Sequence, residues 1–254
     1  DLEVEVLDLL SQAKADMGEQ ITVTRENGLL SVRGIVETPQ RKNEILRALQ
    51  SVKNNPSVKI DVKTVSEAVA AEKNNPKQPA TVQEIQTENS SIAAENDLIE
   101  HFGSAEAARS FATATVARSG RAMNHAYALK RLIQQFKPEE LRQLSPESRA
   151  KWLALVKSHT RAFGEETEAL QRELQPIFAV PNVGAATMPA VKNVADVPQA
   201  IETLFDMAAA NDRVVRSAMT VSAGDTQFTA IKTAQFWQSL KSAEALAAKL
   251  QTIR

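Results

Sequence analysis

The chain has 254 residues, of which 43% are hydrophobic and 24% are charged, and its formal net charge is -1. This length exceeds that of a typical single domain, so we expect two domains. The near-neutral charge argues against nucleic acid as a partner. The absence of cysteine excludes a disulfide, a thiol nucleophile and a thiolate metal site.

The first segment predicts a helix followed by a strand hairpin. Apolar residues recur at three- and four-residue steps from Leu2 to Met17, and Gly18 is a typical helix end. Apolar and polar residues then alternate over 21–24 and again over 30–36, which predicts two strands. Asn27-Gly28 between them supplies the positive φ angles of a tight turn.

A second helix and a third strand complete this N-terminal part. Gly34 stands where the strand pattern expects a buried side chain, which predicts a bulge or the close approach of a packed helix. Thr38-Pro39 is a typical helix start, with threonine as the N-cap and proline at the first helical position. Alternation over 58–62 predicts the third strand, so residues 1–66 form an α-β-β-α-β domain of the α+β class.

This order of elements resembles the BON domain, a small module of bacterial envelope and secretion proteins. The residues that carry the resemblance are Val23, Asn27-Gly28, 32–36, 41–49 and 58–62. The resemblance implies envelope attachment, lipid interaction or protein assembly, and it carries over no catalytic residue. BON domains often occur in pairs, whereas the sequence contains one. A generic α+β domain without a family link is the alternative.

Residues 67–96 are predicted to be a linker, since Asn74 to Pro79 ends the preceding helical pattern and the following stretch is polar. Residues 97–254 predict an all-α antiparallel four-helix bundle. The helix starts that we expect are Ser104, Ser145-Pro146, Asp196 and Asp225. The loop over 178–195 contains two prolines and is a candidate partner contact because long loops in compact domains are often functional.

No catalytic constellation emerges from the sequence, so we predict that the chain is not an enzyme and holds no cofactor or metal. Its three histidines are scattered, and no phosphate-binding, metalloprotease or nucleophile-elbow motif occurs. His159 falls on an apolar helix stripe, which favours a core histidine bonded to a neighbour. Glu166 lies near the same stripe, and we interpret it as part of a solvated helix face.

The helix over 104–137 is strongly basic, with six basic residues and one acidic residue. Its candidate contacts for a partner or an anion are Arg109, Arg118, Arg121, Lys130 and Arg131. An exposed face balanced by acidic neighbours within the bundle is the alternative. On the third helix of the bundle, Asn211 and Asp212 interrupt the apolar stripe, which predicts a hydrogen-bonded structural polar pair.

The sequence is compatible with three functions. The first is a non-catalytic, extracytoplasmic (periplasmic) interaction or sensing module of a membrane-anchored bacterial protein, with the anchor expected upstream of Asp1 and an unidentified protein as partner. The opening helix and Gly18-Glu19-Gln20 are also similar to the outer regions of some anti-sigma-factor-like regulators, which would imply signal transduction. The second is a module that binds anionic lipid or cell wall through the basic helix, and the third is an enzyme.

Overall fold

The computed structural model describes residues 1–26, 28–72, 92–178, 183, 187–188, 190–220 and 226–253. The chain divides into two compact units, which we call the sheet unit (1–85 with 135–155) and the helical unit (86–134 with 156–254). The predicted mixture of a small three-stranded sheet followed mainly by helices is confirmed.

Three strands form the sheet in the order β1-β2-β3, with β1 antiparallel and β3 parallel to β2. The elements up to residue 72 are α1 (Leu2–Gln12), β1 (Gln20–Glu26), β2 (Leu29–Val36), α2 (Pro39–Ala48), a 3-10 turn (Leu49–Ser51), β3 (Val58–Thr64) and α3 (Val65–Glu72). Parallel strands require a crossover connection, and α2 provides it between β2 and β3.

Alternation along the strands places one set of apolar side chains on a single face of the sheet, against α1 and α2. Together with apolar side chains of the helices and turns, they form a buried core that consists of Val6, Leu10, Ala15, Ile21, Val23, Leu30, Val32, Val36, Ile45, Leu49, Val52 and Val62. The predicted start of α2 is confirmed, because Thr38 Oγ1 accepts a hydrogen bond from the Arg41 N–H at 3.2 Å and Pro39 follows it. Gly28 has φ +80°, while its predicted turn partner Asn27 lies outside the described residues.

The explanation that we predicted for Gly34 is wrong. Pairing of β1 with β2 is continuous across this position, with Ile21 opposite Gly34, so residues 29–36 contain no bulge. The close neighbour is strand β1 and not a helix: a Cβ atom at Gly34 would lie 2.7 Å from Ile21 Cγ1 and 2.8 Å from the Gln20 carbonyl oxygen. Glycine is needed here because the neighbouring strand fills the space of a side chain.

Residues 135–155, which the sequence assigned to the helical bundle, belong to the sheet unit. The Gln135 side chain donates to the Val23 carbonyl oxygen at 3.0 Å. Arg25 on β1 pairs with Glu3 of α1 and with Glu140 at 2.7 Å. This segment contains a short helix, α6 (Pro138–Gln143), and the first turns of α7 (Pro146–Leu174). Residues 135–155 thus make polar contacts with β1, and the hydrophobic periodicity of the sequence does not predict such contacts.

The helical unit is built from long helices. Its elements are α4 (Glu95–Phe102), α5 (Ala105–Gln134), the part of α7 from residue 156 onward, a 3-10 turn (Val194–Asp196), α8 (Val197–Met219), a second 3-10 turn (Thr226–Lys232) and α9 (Ala234–Gln251). As predicted, Ser104 caps α5 by accepting from the Ala107 N–H, and Ser145 caps α7 by accepting from the Ser148 N–H.

Helix α5 runs antiparallel to both α7 and α8, as the paired residue numbers show. Along α5, Arg118 pairs with Glu173 and His125 contacts His159, so the partner number on α7 falls as the α5 number rises. The same holds for α8, where Ser119 bonds Asp212 and Lys130 pairs with Glu202.

Two predicted helix starts need correction. Asp196 precedes α8, but its carboxylate makes no cap bond to that helix and accepts instead from the Lys192 and Asn193 N–H groups. Asp225 lies outside the described residues, and the last helix begins only at Ala234, after the N-cap Thr233. Ile231 lies before this helix, in the 3-10 turn over 226–232.

Much of the predicted linker and loop lies outside the described residues. Of the linker over 67–96, the structure describes 67–72, which end α3, and 92–96, where α4 begins. Of the loop over 178–195, positions 179–182, 184–186 and 189 are not described. Phe178 is fully buried, and Val183 packs against the core of the helical unit.

Candidate functional site

A groove between α5 and α8 is the candidate functional site, and we call it the arginine groove. Arg121 and Tyr127 line it from α5, and Arg213 and Arg216 line it from α8. The groove is open to the surface and has a volume of about 910 Å³. This volume is at the upper end of the range of roughly 300–1,000 Å³ typical of small-molecule pockets, so the groove has room for more than a single small ion.

Small residues at the helix contact explain why the groove exists. Gly120, Ala117 and Ala209 line its floor and carry little or no side chain. A Cβ atom at Gly120 would lie 3.5 Å from Arg216 Nη2, so the Arg216 guanidinium lies directly over the backbone of α5. A larger residue at Gly120 would fill the space that this guanidinium occupies.

Asp212 orients Arg216 at the edge of the groove. One carboxylate oxygen accepts from Ser119 Oγ at 2.7 Å, and the other accepts from Arg216 Nε at 2.7 Å. Asp212 and Arg216 are one helical turn apart on α8, the spacing at which side chains meet. The Ser119 hydroxyl on α5 therefore fixes the Asp212 carboxylate on α8, and this carboxylate holds the Arg216 guanidinium in place.

The three arginines retain donors that the described residues do not use. A guanidinium has five N–H donors. Arg121 is 49% exposed and bonds Glu166 through Nε and Nη2, while Arg216 is 48% exposed and bonds Asp212 through Nε. Arg213 is exposed, and it makes no ion pair or side-chain hydrogen bond to any described residue. The groove therefore presents N–H groups that can donate hydrogen bonds to an anion.

Glu166 on α7 pairs with Arg121 of the groove, and our interpretation of Glu166 as part of a solvated face is wrong. Its side chain is 20% exposed and accepts hydrogen bonds from Arg118 at 3.0 Å and from Arg121 at 2.7 and 3.1 Å. Burial alone would raise the pKa of Glu166, but the bonds and charges of Arg121 and Arg118 outweigh it and hold the pKa below its usual value. A carboxylate so placed fixes the position of Arg121.

We expect Glu166→Gln to lower the free energy of unfolding by about 1.5–3 kcal/mol at neutral pH, the contribution typical of hydrogen bonds to a charged group. Because the folded pKa is lowered, this stabilisation is present above the unfolded pKa of about 4.3 and is lost as the pH falls through the folded value. Urea unfolding at neutral and acidic pH measures it.

The control is Glu168→Gln on the same helix, where the carboxylate is 58% exposed and its pair with Arg172 lies at 3.5 Å. We expect a change within about 0.5 kcal/mol there. A Glu166→Gln defect that persists unchanged at acidic pH would show that the lost charge is not its cause.

Of the five basic residues predicted on α5, only Arg121 lines the arginine groove. The other four lie elsewhere. Arg109 pairs with Glu95 at 3.3 Å, Arg118 pairs with Glu166 and Glu173, and Lys130 pairs with Glu202 at 3.4 Å while its Nζ lies 3.8 Å from the centre of the Phe205 ring. Arg131 is exposed. Much of the basic charge on α5 thus faces carboxylates of neighbouring helices.

The predicted polar pair on α8 separates into two environments. Asn211 is buried, with 6% exposure, whereas Asp212 faces the groove and bonds Ser119 and Arg216. The sequence did not single out Arg213 and Arg216. The available signal was Asp212 four residues before Arg216, together with a glycine in the middle of a 30-residue helix.

Within the described residues, no group of three or more His, Cys, Asp or Glu side chains could hold a metal ion. None of the described helices has the length and hydrophobicity needed to cross a bilayer. Comparisons with protein-family models, with curated proteins and with solved structures find no match for this chain.

Proposed function

We propose that this chain is a non-catalytic interaction module whose arginine groove binds an acidic segment of a partner protein. The observation that carries the proposal is the convergence of three arginines from two helices on one groove, each with N–H donors not used by the described residues. Arginine suits this task because its planar donors match a carboxylate at two points.

The spacing of the arginines favours a segment with more than one carboxylate. Arg213 and Arg216 are three residues apart on α8, which separates their Cβ atoms by roughly 5–6 Å. Acidic residues at alternate positions of an extended peptide are spaced by roughly 6.6 Å, and those one turn apart on a helix are spaced like the arginines themselves. The Tyr127 ring, which is 52% exposed, adds an apolar surface against which the aliphatic parts of the acidic side chains can pack.

The resemblance of residues 1–66 to a BON domain supports the wider setting of the proposal. We propose that the chain is the extracytoplasmic, periplasmic part of a membrane-anchored bacterial envelope protein. One such protein would be an anti-sigma-factor-like regulator. The antiparallel contacts of α5 with α7 and α8 support the finer arrangement that we propose for the helical unit, an antiparallel four-helix bundle of α5, α7, α8 and α9.

Anionic lipid is the alternative partner. The ion pairs of α5 argue against lipid binding by this helix. Arg118 and Lys130 are both directed at carboxylates, so the basic helix offers less unpaired charge than its sequence suggests. Electrostatic attachment to a membrane needs a cluster of basic residues at the surface. Lipid binding is therefore an outcome to be distinguished by experiment.

We expect the chain to bind a fluorescently labelled oligo-glutamate peptide, and we expect Arg213→Glu to weaken this binding by about tenfold or more. The substitution removes a charged donor and adds a repelling carboxylate, and a loss of 1.4 kcal/mol corresponds to tenfold. Fluorescence anisotropy at low and physiological salt measures the affinity, which should fall with salt.

The matched control is Arg172→Glu, the same charge reversal at a residue of α7 that is 70% exposed and does not line the groove. It should leave the affinity for the peptide nearly unchanged. Equal losses in both variants would indicate a non-specific charge effect and contradict the groove. Co-sedimentation with phosphatidylserine vesicles, without peptide binding, would favour the lipid alternative.

A further inference from the structure

The two edges of the sheet differ in what contacts them. β1 forms one edge, where the Gln135 side chain donates to the Val23 carbonyl oxygen and Arg25 pairs with Glu140. β3 forms the other edge, and among the described residues β2 is the only strand that pairs with it. An edge strand without a neighbour is a template for pairing with another extended segment.

The backbone of β3 leaves N–H donors for such a segment. The Leu30 N–H donates to the Ser57 carbonyl oxygen, and backbone groups alternate in direction along a strand. The odd-numbered residues of β3 therefore face β2, and the even-numbered residues direct their N–H and C=O groups outward. At both ends of the strand, the outward N–H groups are bonded within the sheet unit. Those of Ile60 and Val62 have no acceptor among the described residues.

The side chains of β3 form two rows of different chemistry. Val58 and Ile60 are partly buried and pack against the core of the sheet unit. Lys59, Asp61 and Lys63 alternate with them and point to the opposite face of the sheet. The Asp61 side chain is 44% exposed and that of Lys63 is 47% exposed. The outer row thus carries a positive, a negative and a positive charge in turn.

We propose that β3 pairs antiparallel with β3 of a second copy of this chain, which joins the two three-stranded sheets into one. The register that we assign places Ile60 opposite Ile60 of the second copy. Lys59 of each copy then lies opposite Asp61 of the other. These are non-hydrogen-bonded positions of the ladder, where side chains are closest, and opposite charges there stabilise the pairing.

The neighbouring registers are less favourable. Placing Asp61 opposite itself brings like charges together, which destabilises pairing. Placing Val62 opposite itself puts Ile60 opposite Thr64, whereas the assigned register puts Val58 opposite Val62 and keeps the apolar row apolar. In the assigned register, the Ile60 N–H donates to the Ile60 carbonyl oxygen of the second copy, and the Val62 N–H donates to that of Val58. Both free N–H groups of each copy thus find an acceptor.

The dimer should be weak and reversible. A single edge of seven residues offers few hydrogen bonds, and it buries little area compared with the roughly 1,200–2,000 Å² of stable interfaces. We therefore expect a monomer–dimer equilibrium with a dissociation constant of about 1–100 μM.

Sedimentation velocity of the full chain over a concentration series measures this equilibrium. Asp61→Lys and Lys59→Asp each place like charges opposite each other, and we expect each to weaken the dimer by about tenfold or more. Combining the two substitutions restores opposite charges in the assigned register, so the combined variant should dimerise nearly as well as the wild type. Lys53→Asp is the matched control, since Lys53 is exposed and lies outside β3.

A chain that stays monomeric up to about 500 μM would overturn the proposal and leave this edge to a segment of a different protein. A dimer that neither single variant weakens, or that the combined variant does not restore, would overturn it as well. A further measurement needs no variant. The amide NMR signals of Ile60 and Val62 should shift as the wild-type chain is concentrated, and shifts confined to residues outside β3 would contradict pairing through this edge.

Discussion

Replacing Trp237 by alanine is expected to lower the free energy of unfolding of the helical unit by about 3–5 kcal/mol, the range for large aromatic side chains in cores. Trp237 on α9 is fully buried and packs edge-to-face on Phe236, with ring centres 5.5 Å apart. Its Nε1–H donates to the Ile231 carbonyl oxygen at 3.0 Å. The variant therefore creates a cavity and also leaves a buried carbonyl without its donor.

Urea unfolding followed by circular dichroism measures this loss. The chain has two tryptophans, and Trp152 lies in the sheet unit, so fluorescence of the Trp237→Ala variant reports that unit alone. Tyr127→Ala removes an aromatic ring that is 52% exposed, and it should cost much less. A Trp237→Ala cost below about 1 kcal/mol would show that the described packing around α9 is wrong.

Gly34→Ala is expected to destabilise the sheet unit by about 1–3 kcal/mol, the usual cost of overpacking. The new Cβ atom would lie 2.8 Å from the Gln20 carbonyl oxygen and 2.7 Å from Ile21 Cγ1. The Ile21 side chain can rotate away, but the backbone oxygen can move only if β1 moves with it. Since residues 20–26 of β1 pair with residues 29–35 of β2, that movement disturbs the sheet.

Gly164→Ala is the matched control, and its expected effect has the opposite sign. Gly164 lies inside helix α7, and a Cβ atom there would meet Ala247 Cβ at an ordinary contact distance of 3.9 Å. Alanine in a helix is favoured over glycine by about 0.5–1 kcal/mol. Urea unfolding of both variants checks the pair, and a stabilising Gly34→Ala would contradict the close approach of β1.

Local patterns predicted most of the secondary structure because each signal lies within a few residues. Alternation identified the strands, and the Thr38-Pro39 pair identified the start of α2. The same locality explains the errors. Nothing near residues 135–155 indicates that they bond Val23 and Arg25, more than 100 residues earlier. Thr233 was overlooked as an N-cap because Asp225 offered a similar signal further upstream.

The candidate site was only partly accessible from the sequence for a related reason. Arg121 and Asp212 were singled out separately, one as a basic contact and the other as a structural polar residue. What places both on the arginine groove is the antiparallel contact of α5 with α8, visible in the bond between Ser119 and Asp212. Glu166 was misread because its two arginine partners lie on another helix, where sequence spacing gives no information.

The most direct test of the proposed function locates the peptide on the protein. Amide NMR spectra of isotopically labelled chain should be recorded during titration with the oligo-glutamate peptide. We predict that the largest shifts occur at residues of the arginine groove, including Gly120, Asn124 and Ser217. Shifts confined to the sheet unit, or shifts spread evenly over exposed basic residues such as Arg109 and Arg172, would contradict the assignment of the groove as the binding site.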